Sequence, residues 1–222
     1  MLQLVVIAVQ AFMLNPHLSE AQLTAFMKSS GENGYILSVT TLVTTLVCCS
    51  LIVGIIKLKK GSVLADYLRL RTVPPKVMAR WAGYLVGMMI LSDLLTMLLG
   101  RPIVPDVMLA MYATADPAWL FWLALVIAAP LFEETFFRGF LFRGLESSFI
   151  GPVCTIFTTA ALWAVIHVQY DAYGVATVFV MGLLFGAARA VTGSLLVPLG
   201  LHALTNLAST IEAALLVQRF HA

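Results

Sequence analysis

Two adjacent glutamates and an arginine lie within an apolar segment that runs from about Ala118 to Leu145. Ionised side chains at the centre of a bilayer each cost roughly 2.5–3.5 kcal/mol on insertion scales. A helix that carries Glu133, Glu134 and Arg138 at that depth must therefore turn them toward protein or toward a wet cavity. This requirement constrains the fold more than any other feature of the sequence.

The spacing of the three charges predicts different roles for the two carboxylates. Glu134 and Arg138 are four residues apart, so they share a helical face and can form an ion pair. Glu133 is rotated by about 100° from Glu134, because an α-helix has about 3.6 residues per turn. A single Glu–Arg pair is typical of a structural contact between membrane helices. The additional carboxylate, which has no cation near it in sequence, favours a chemical role.

The composition of the 222 residues, 61% hydrophobic and 11% charged, indicates a membrane protein. Soluble domains average roughly 45–50% apolar and about 25% charged residues. We therefore expect an all-α polytopic transmembrane bundle of about seven spans, embedded in a lipid bilayer. No basic cluster interleaved with aromatic residues indicates nucleic-acid binding. The three cysteines lie in apolar segments without CxxC spacing and are interpreted as small hydrophobic residues.

Apolar runs separated by polar segments define the expected spans. These runs are 1–14, 35–56, 81–99, 118–145, 153–168, 175–191 and 195–217. The first is short for a span and lacks the basic region of a signal peptide. Two short helices are expected outside the spans, a surface helix over 18–29 and an amphipathic interfacial helix over 62–71 that ends before Pro74. Residues 101–117 are expected to form a loop.

The loop between the second and third spans is the most basic part of the chain. Its seven cations are Lys57, Lys59, Lys60, Arg69, Arg71, Lys76 and Arg80. The positive-inside rule places this 57–80 loop in the cytoplasm. We expect residues 1–117 to form the N-terminal membrane helices with this loop, and residues 118–217 to form the helix bundle that carries the paired glutamates and any catalytic site, within a single membrane domain. The expected location is a bacterial-type inner or plasma membrane.

Two later spans carry polar residues at helical spacing. Trp163 and His167 are four residues apart in one span, and His202 and Asn206 are four residues apart in the last. A single histidine in an apolar helix is usually a neutral imidazole bonded to a neighbouring helix. Two such histidines, an asparagine and a glutamate pair in one small bundle favour a shared wet pocket, because isolated polar groups are expensive in lipid.

In chain order these motifs read Glu-Glu-x-x-x-Arg, aromatic-x-x-x-His and His-x-x-x-Asn. Their order and spacing resemble the CPBP family of intramembrane proteases, also called the Abi family. That family comprises CAAX-processing endopeptidases and bacteriocin-processing or immunity proteins. The resemblance covers about residues 118–207, and the sequences around Gly139 and Gly193 also fit it.

The resemblance implies a hydrolase, an intramembrane endopeptidase acting on a membrane-associated protein or peptide. Glu133 corresponds to the glutamate that activates a water, and His167 corresponds to its partner. His202 and Asn206 correspond to the pair that stabilises the oxyanion. Glu134 and Arg138 correspond to supporting positions. Trp163 stands where the family usually has phenylalanine, and it keeps an aromatic floor at that point.

A zinc site is the alternative use of the same side chains. Catalytic zinc sites use two histidines and a glutamate with an open position, so Glu133, His167 and His202 could hold the metal. The sequence lacks the HExxH motif of zincins. Relatives are described both as metalloproteases and as glutamate-activated enzymes. We favour a metal-free mechanism that requires no cofactor, and zinc remains the alternative.

Two other classes of function compete with the protease. A non-catalytic membrane scaffold or immunity protein of the same fold would bind a partner but would not need Glu133, His167, His202 and Asn206 together. A transporter with a proton-relay carboxylate is less favoured, because the sequence lacks the repeats and discontinuous helices that transporters show.

Overall fold

The computed structural model describes residues 19–221, and the predicted first span, residues 1–14, lies outside them. The described chain is helical and contains no strand, as expected for an all-α protein. Its helices are α1 (Glu20–Gly31), α2 (Gly34–Leu58), α3 (Leu64–Tyr67), α4 (Pro75–Leu98), α5 (Asp106–Ala113), α6 (Ala118–Glu146), α7 (Gly151–Val165), α8 (Ala172–Thr192) and α9 (Leu196–His221).

Five of these helices are long and apolar enough to cross a membrane: α2, α4, α6, α8 and α9. Many large apolar side chains on α2 and α4 are exposed, among them Leu46 and Leu91, which suits contact with lipid. The protein is therefore an integral membrane protein. Helix α7 is apolar but has only 15 residues, fewer than the roughly 20 that a perpendicular span needs. The predicted count of about seven spans is not confirmed by the described residues.

The expected amphipathic helix over 62–71 is reduced to the four residues of α3, so that prediction is wrong in extent. Arg69 adopts a left-handed conformation with φ of +56°, which stops the helix. The Arg69 carbonyl instead accepts a hydrogen bond from the Leu195 N–H at 2.9 Å, and the Arg71 carbonyl accepts one from the Ser194 hydroxyl. These two bonds fix the segment against the start of α9.

The predicted loop over 101–117 is also wrong, because it contains α5. This helix buries Met108 and Met111 in an apolar cluster with Phe121 and Ala213. The apolar run from residue 107 to 112 gains more from this burial than from remaining exposed.

Internal contacts divide the chain into two compact units. The first unit comprises the described residues up to Leu46, together with 104–129 and the residues from Asn206 onward, and its core is the cluster around α5. The second unit comprises 47–103 and 130–205. Its main core includes Trp81, Leu85, Phe137, Trp163, Phe185 and Leu201, and a smaller cluster joins Ile52, Ile56, Leu68 and Leu195.

Helix α6 contains two π-helical stretches, Leu123–Ala128 and Thr135–Leu141. At the end of the first, the Ala129 N–H donates to the carbonyl of Ala124, five residues earlier. Pro130 follows and has no N–H to continue this pattern. Wide turns of this kind are rare and are frequent at functional sites. The second stretch begins directly after the paired glutamates.

The close approach of α2 to α5 gives a test of the first unit. A Cβ added at Gly34 would lie 1.9 Å from the Met111 carbonyl oxygen, whereas one added at Gly54, also in α2, would meet nothing within 4 Å. Gly34→Ala should therefore destabilise the protein by about 1–3 kcal/mol, as overpacking does. Gly54→Ala should leave it unchanged or slightly more stable, because alanine favours helix. Thermal unfolding in detergent measures both, and equal melting temperatures would contradict the packing described.

Candidate active site

The two adjacent glutamates of α6 have different surroundings, as their spacing predicts. Both lie at the junction between a regular turn and the wide Thr135–Leu141 turn. The Glu134 side chain is completely buried, whereas the Glu133 side chain is 19% exposed. One carboxylate is thus enclosed by protein, and the other retains access to its surroundings.

Glu134 is the centre of a buried polar network. Its Oε1 accepts a hydrogen bond from Arg138 Nη1 at 3.0 Å, so the predicted ion pair is confirmed. The same oxygen lies 2.9 Å from Nδ1 of His202. Arg138 also donates from Nη2 to the Gly182 carbonyl at 3.1 Å. The network therefore connects α6, α8 and α9 within the second unit.

Aromatic rings and a second buried arginine surround Arg138. Its guanidinium lies 4.6 Å from the centroid of the Trp163 ring and 5.7 Å from that of Phe185, distances at which a cation is attracted to a ring face. The Arg138 carbonyl accepts a hydrogen bond from Nε of Arg189 at 2.9 Å. The sequence did not identify Arg189 as part of this site. Its only signal in the sequence is a cation in the last turn of an apolar helix, which is common at span ends.

Trp163 and His202 both lie near the Glu133 carboxylate. The indole N–H of Trp163 donates to Glu133 Oε2 at 2.5 Å, and His202 Nε2 lies 3.9 Å from the same oxygen. The sequence predicted only an aromatic ring packed beneath the site at Trp163. The structure shows that its indole N–H also orients the partly exposed Glu133 carboxylate. His202 lies between the two glutamates, with one ring nitrogen near each.

His167 is held by its own helix end and by stacking. Its Nδ1 lies 2.7 Å from the Trp163 carbonyl oxygen. A carbonyl only accepts, so Nδ1 carries the hydrogen and Nε2 of the neutral ring is an acceptor. The ring stacks on Tyr170 with centroids 6.1 Å apart. The structure places Trp163 and His202, rather than His167, beside the Glu133 carboxylate.

Asn206 belongs to the first unit and satisfies a carbonyl there. Its Nδ2 donates to the Leu125 carbonyl oxygen at 2.7 Å. Leu125 is five residues before Pro130, which cannot supply the π-helical hydrogen bond that this carbonyl would otherwise accept. The amide nitrogen carries two hydrogens, of which this bond engages one.

The polar turn that precedes α8 adjoins His167 through Tyr170. Burial raises the pKa of the Tyr170 phenol. The Gly174 N–H, at 2.9 Å, and the paired Arg101 guanidinium hold the pKa of the Asp171 carboxyl below its usual range. Asp171 thereby caps α8 while it binds the segment that follows α4.

The residues considered for zinc do not form a ligand set as they are placed. Within residues 19–221, no three His, Cys, Asp or Glu side chains lie close enough together to hold a metal ion. His167 directs Nδ1 at a backbone carbonyl, and the Glu133 oxygen nearest His202 already accepts from Trp163. The arrangement instead offers a carboxylate, two imidazoles and a buried cation, which suit proton transfer.

Comparison with known families finds a match to part of the chain. Residues 115–208 match the family described as type II CAAX prenyl endopeptidase Rce1-like. The matched segment contains all three motifs and confirms the resemblance inferred from them. No curated protein and no solved structure matches the chain.

Two arginines of α6 allow a matched test of the buried network. Removing one partner of a buried pair leaves an uncompensated charge and costs about 3–5 kcal/mol. A half-exposed pair such as Arg143–Glu146 contributes about 0–1 kcal/mol. Arg138→Ala should therefore lower the melting temperature in detergent far more than Arg143→Ala does. If the two variants melt together, the Glu134–Arg138 pair is not structural.

Proposed function

We propose that this chain, whose residues 115–208 match the Rce1-like family of type II CAAX prenyl endopeptidases, is an intramembrane endopeptidase in which Glu133 activates the attacking water. The observation that carries this proposal is the contrast between the two glutamates. Glu134 is buried and engaged with Arg138 and His202, whereas Glu133 is partly exposed and is held through one oxygen by Trp163.

Glu133 has the surroundings that a general base requires. The Trp163 N–H fixes one carboxylate oxygen and leaves the second oxygen for a water. In the proposed step the water gives a proton to Glu133 while its oxygen attacks the peptide carbonyl. The same proton then passes to the leaving amine, so the carboxylate is regenerated. A base positioned in this way typically contributes about 10²–10⁴-fold to the rate.

The histidines and Asn206 complete the proposed machinery. With Nδ1 directed at Glu134, His202 is the proposed oxyanion donor through Nε2 when both ring nitrogens carry hydrogen. The family resemblance makes Asn206 the second proposed donor, and its amide nitrogen keeps one hydrogen beyond the bond to Leu125. His167 offers Nε2 as an acceptor that orients the water. Removing one oxyanion donor, here His202 or Asn206, usually lowers kcat by about 10²–10³-fold.

The proposed substrate is a membrane-associated protein or peptide, and the family description makes a prenylated CAAX sequence the first candidate. The excess of cations in the 57–80 loop supports a cytoplasmic location for that loop and a bacterial-type inner or plasma membrane for the protein.

Cleavage of a membrane-tethered peptide by the purified protein tests the proposal. Glu133→Gln should reduce turnover by more than about 10³-fold, because the water loses both its base and its anchor. Asp106→Asn is the matched control, since it makes the same carboxylate-to-amide change at an exposed position on another helix and should leave turnover near that of the wild type. If wild type binds the peptide but neither cleaves it nor differs from Glu133→Gln, the protein is a scaffold.

Metal dependence distinguishes the two mechanisms that the sequence permits. We predict that elemental analysis of active protein finds no stoichiometric zinc and that dialysis against a strong chelator leaves turnover unchanged. Zinc at one equivalent, with loss of activity on chelation and recovery on zinc addition, would contradict this. It would show that Glu133, His167 and His202 rearrange into the ligand set of a catalytic zinc site.

A further inference from the structure

A cavity of about 410 Å³ lies away from the paired glutamates, beside the ends of α2 and α6. Its lining combines cations, hydroxyls and an aromatic ring. The side chains that matter to its chemistry are Lys59, Ser62, Asp66, Tyr67, Arg143 and Ser147. All of them belong to the second unit. A volume of this size lies within the range of roughly 300–1,000 Å³ that is usual for small-ligand pockets.

The cavity is placed at the level of the lipid headgroups. Helix α2 ends at Leu58, one residue before Lys59, and α6 ends at Glu146, one residue before Ser147. Both helices are long and apolar enough to cross a membrane, so their C-terminal ends, which both adjoin the cavity, mark the boundary of the bilayer. Leu58 is 85% exposed beside the opening. An apolar side chain exposed at a span end suits contact with lipid.

The charge balance of the lining favours an anion. Asp66 is paired with Arg71 at 3.4 Å, and Arg143 is paired with Glu146 at 3.0 Å. Lys59 forms no ion pair with the described residues, and its ammonium lies 5.3 Å from the centroid of the Tyr67 ring. The surrounding 57–80 segment has seven cations and one carboxylate, so its potential is strongly positive.

We propose that this cavity binds the phosphate group of an anionic phospholipid. Lys59 and Arg143 supply the cations, the Ser62 hydroxyl supplies a further donor, and the acyl chains would run along the exposed apolar end of α2. Basic pockets between membrane helices are known to recognise anionic headgroups in this way. A free phosphate shares the headgroup's chemistry but would make no use of the adjoining apolar surface.

Binding of phosphatidylglycerol to the purified full chain in detergent tests the proposal. Native mass spectrometry would count bound lipid for the wild type, for Lys59→Gln/Arg143→Gln and for Lys76→Gln/Arg80→Gln. The last is the matched control, because it removes two exposed cations near the same segment that do not line the cavity. Phosphatidylcholine and inorganic phosphate serve as the other two probes.

We expect wild type to hold one phosphatidylglycerol in preference to phosphatidylcholine. The cavity variant should lose at least about tenfold in affinity, as removal of charged hydrogen bonds does, and the control should lose clearly less, because its two cations do not line the cavity. Equal losses of phosphatidylglycerol affinity in the two double variants would show only general attraction of the lipid to a basic surface, and this would overturn the proposal. Competition by millimolar inorganic phosphate would show a free-anion site, and it would also overturn it. If the double variant does not fold, Lys59→Gln alone replaces it, and its affinity for phosphatidylglycerol should also fall below that of the control.

Discussion

The buried contact of Glu134 with Arg138 and His202 is the interaction on which the second unit depends. A carboxylate and a guanidinium that are both fully enclosed are tolerable in a membrane helix when each compensates the charge of the other. Arg138 Nη2 also donates to the Gly182 carbonyl, the Arg138 guanidinium lies over the rings of Trp163 and Phe185, and Glu134 Oε1 lies beside His202. Glu134 Oε2 and Arg138 Nε have no hydrogen-bond partner among the described residues. Three helices are fixed by one charge pair.

The wide turn of α6 makes this arrangement possible. The Arg138 carbonyl lies inside the Thr135–Leu141 stretch and is bonded by Arg189, so a second buried cation supports the first. Once Glu134 is enclosed, Glu133 points to a different environment, where Trp163 donates to its Oε2 and His202 lies near the same oxygen. The proposed chemistry of Glu133 thus depends on a structural ion pair one residue away.

Much of this site was predictable from the sequence, because charge in lipid is expensive enough to override other preferences. The four-residue spacing predicted the Glu134–Arg138 pair. The histidines and Asn206 of the later spans were predicted to share one wet pocket with the paired glutamates, and the structure places His202 beside both glutamates. The sequence did not identify Trp163 as a donor to Glu133, since an indole in an apolar helix is more often core. It also gave no sign that Asn206 bonds Leu125, because that contact arises from a distortion of α6 near Pro130. Interactions that depend on the spacing of residues along a helix could be predicted from the sequence, whereas interactions that depend on irregular backbone could not.

The most direct test of the account compares the stabilities of two variants that differ by one position. Thermal unfolding of Glu133→Gln and Glu134→Gln in the same detergent separates a structural carboxylate from one available for chemistry. The account predicts that Glu134→Gln melts well below wild type, because it leaves Arg138 buried without a counter-charge. The expected loss in the free energy of unfolding is about 3–5 kcal/mol. Glu133→Gln should melt close to wild type, since Glu133 takes no part in that ion pair. Equal destabilisation of the two, or the reverse order, would contradict the division of roles between the adjacent glutamates.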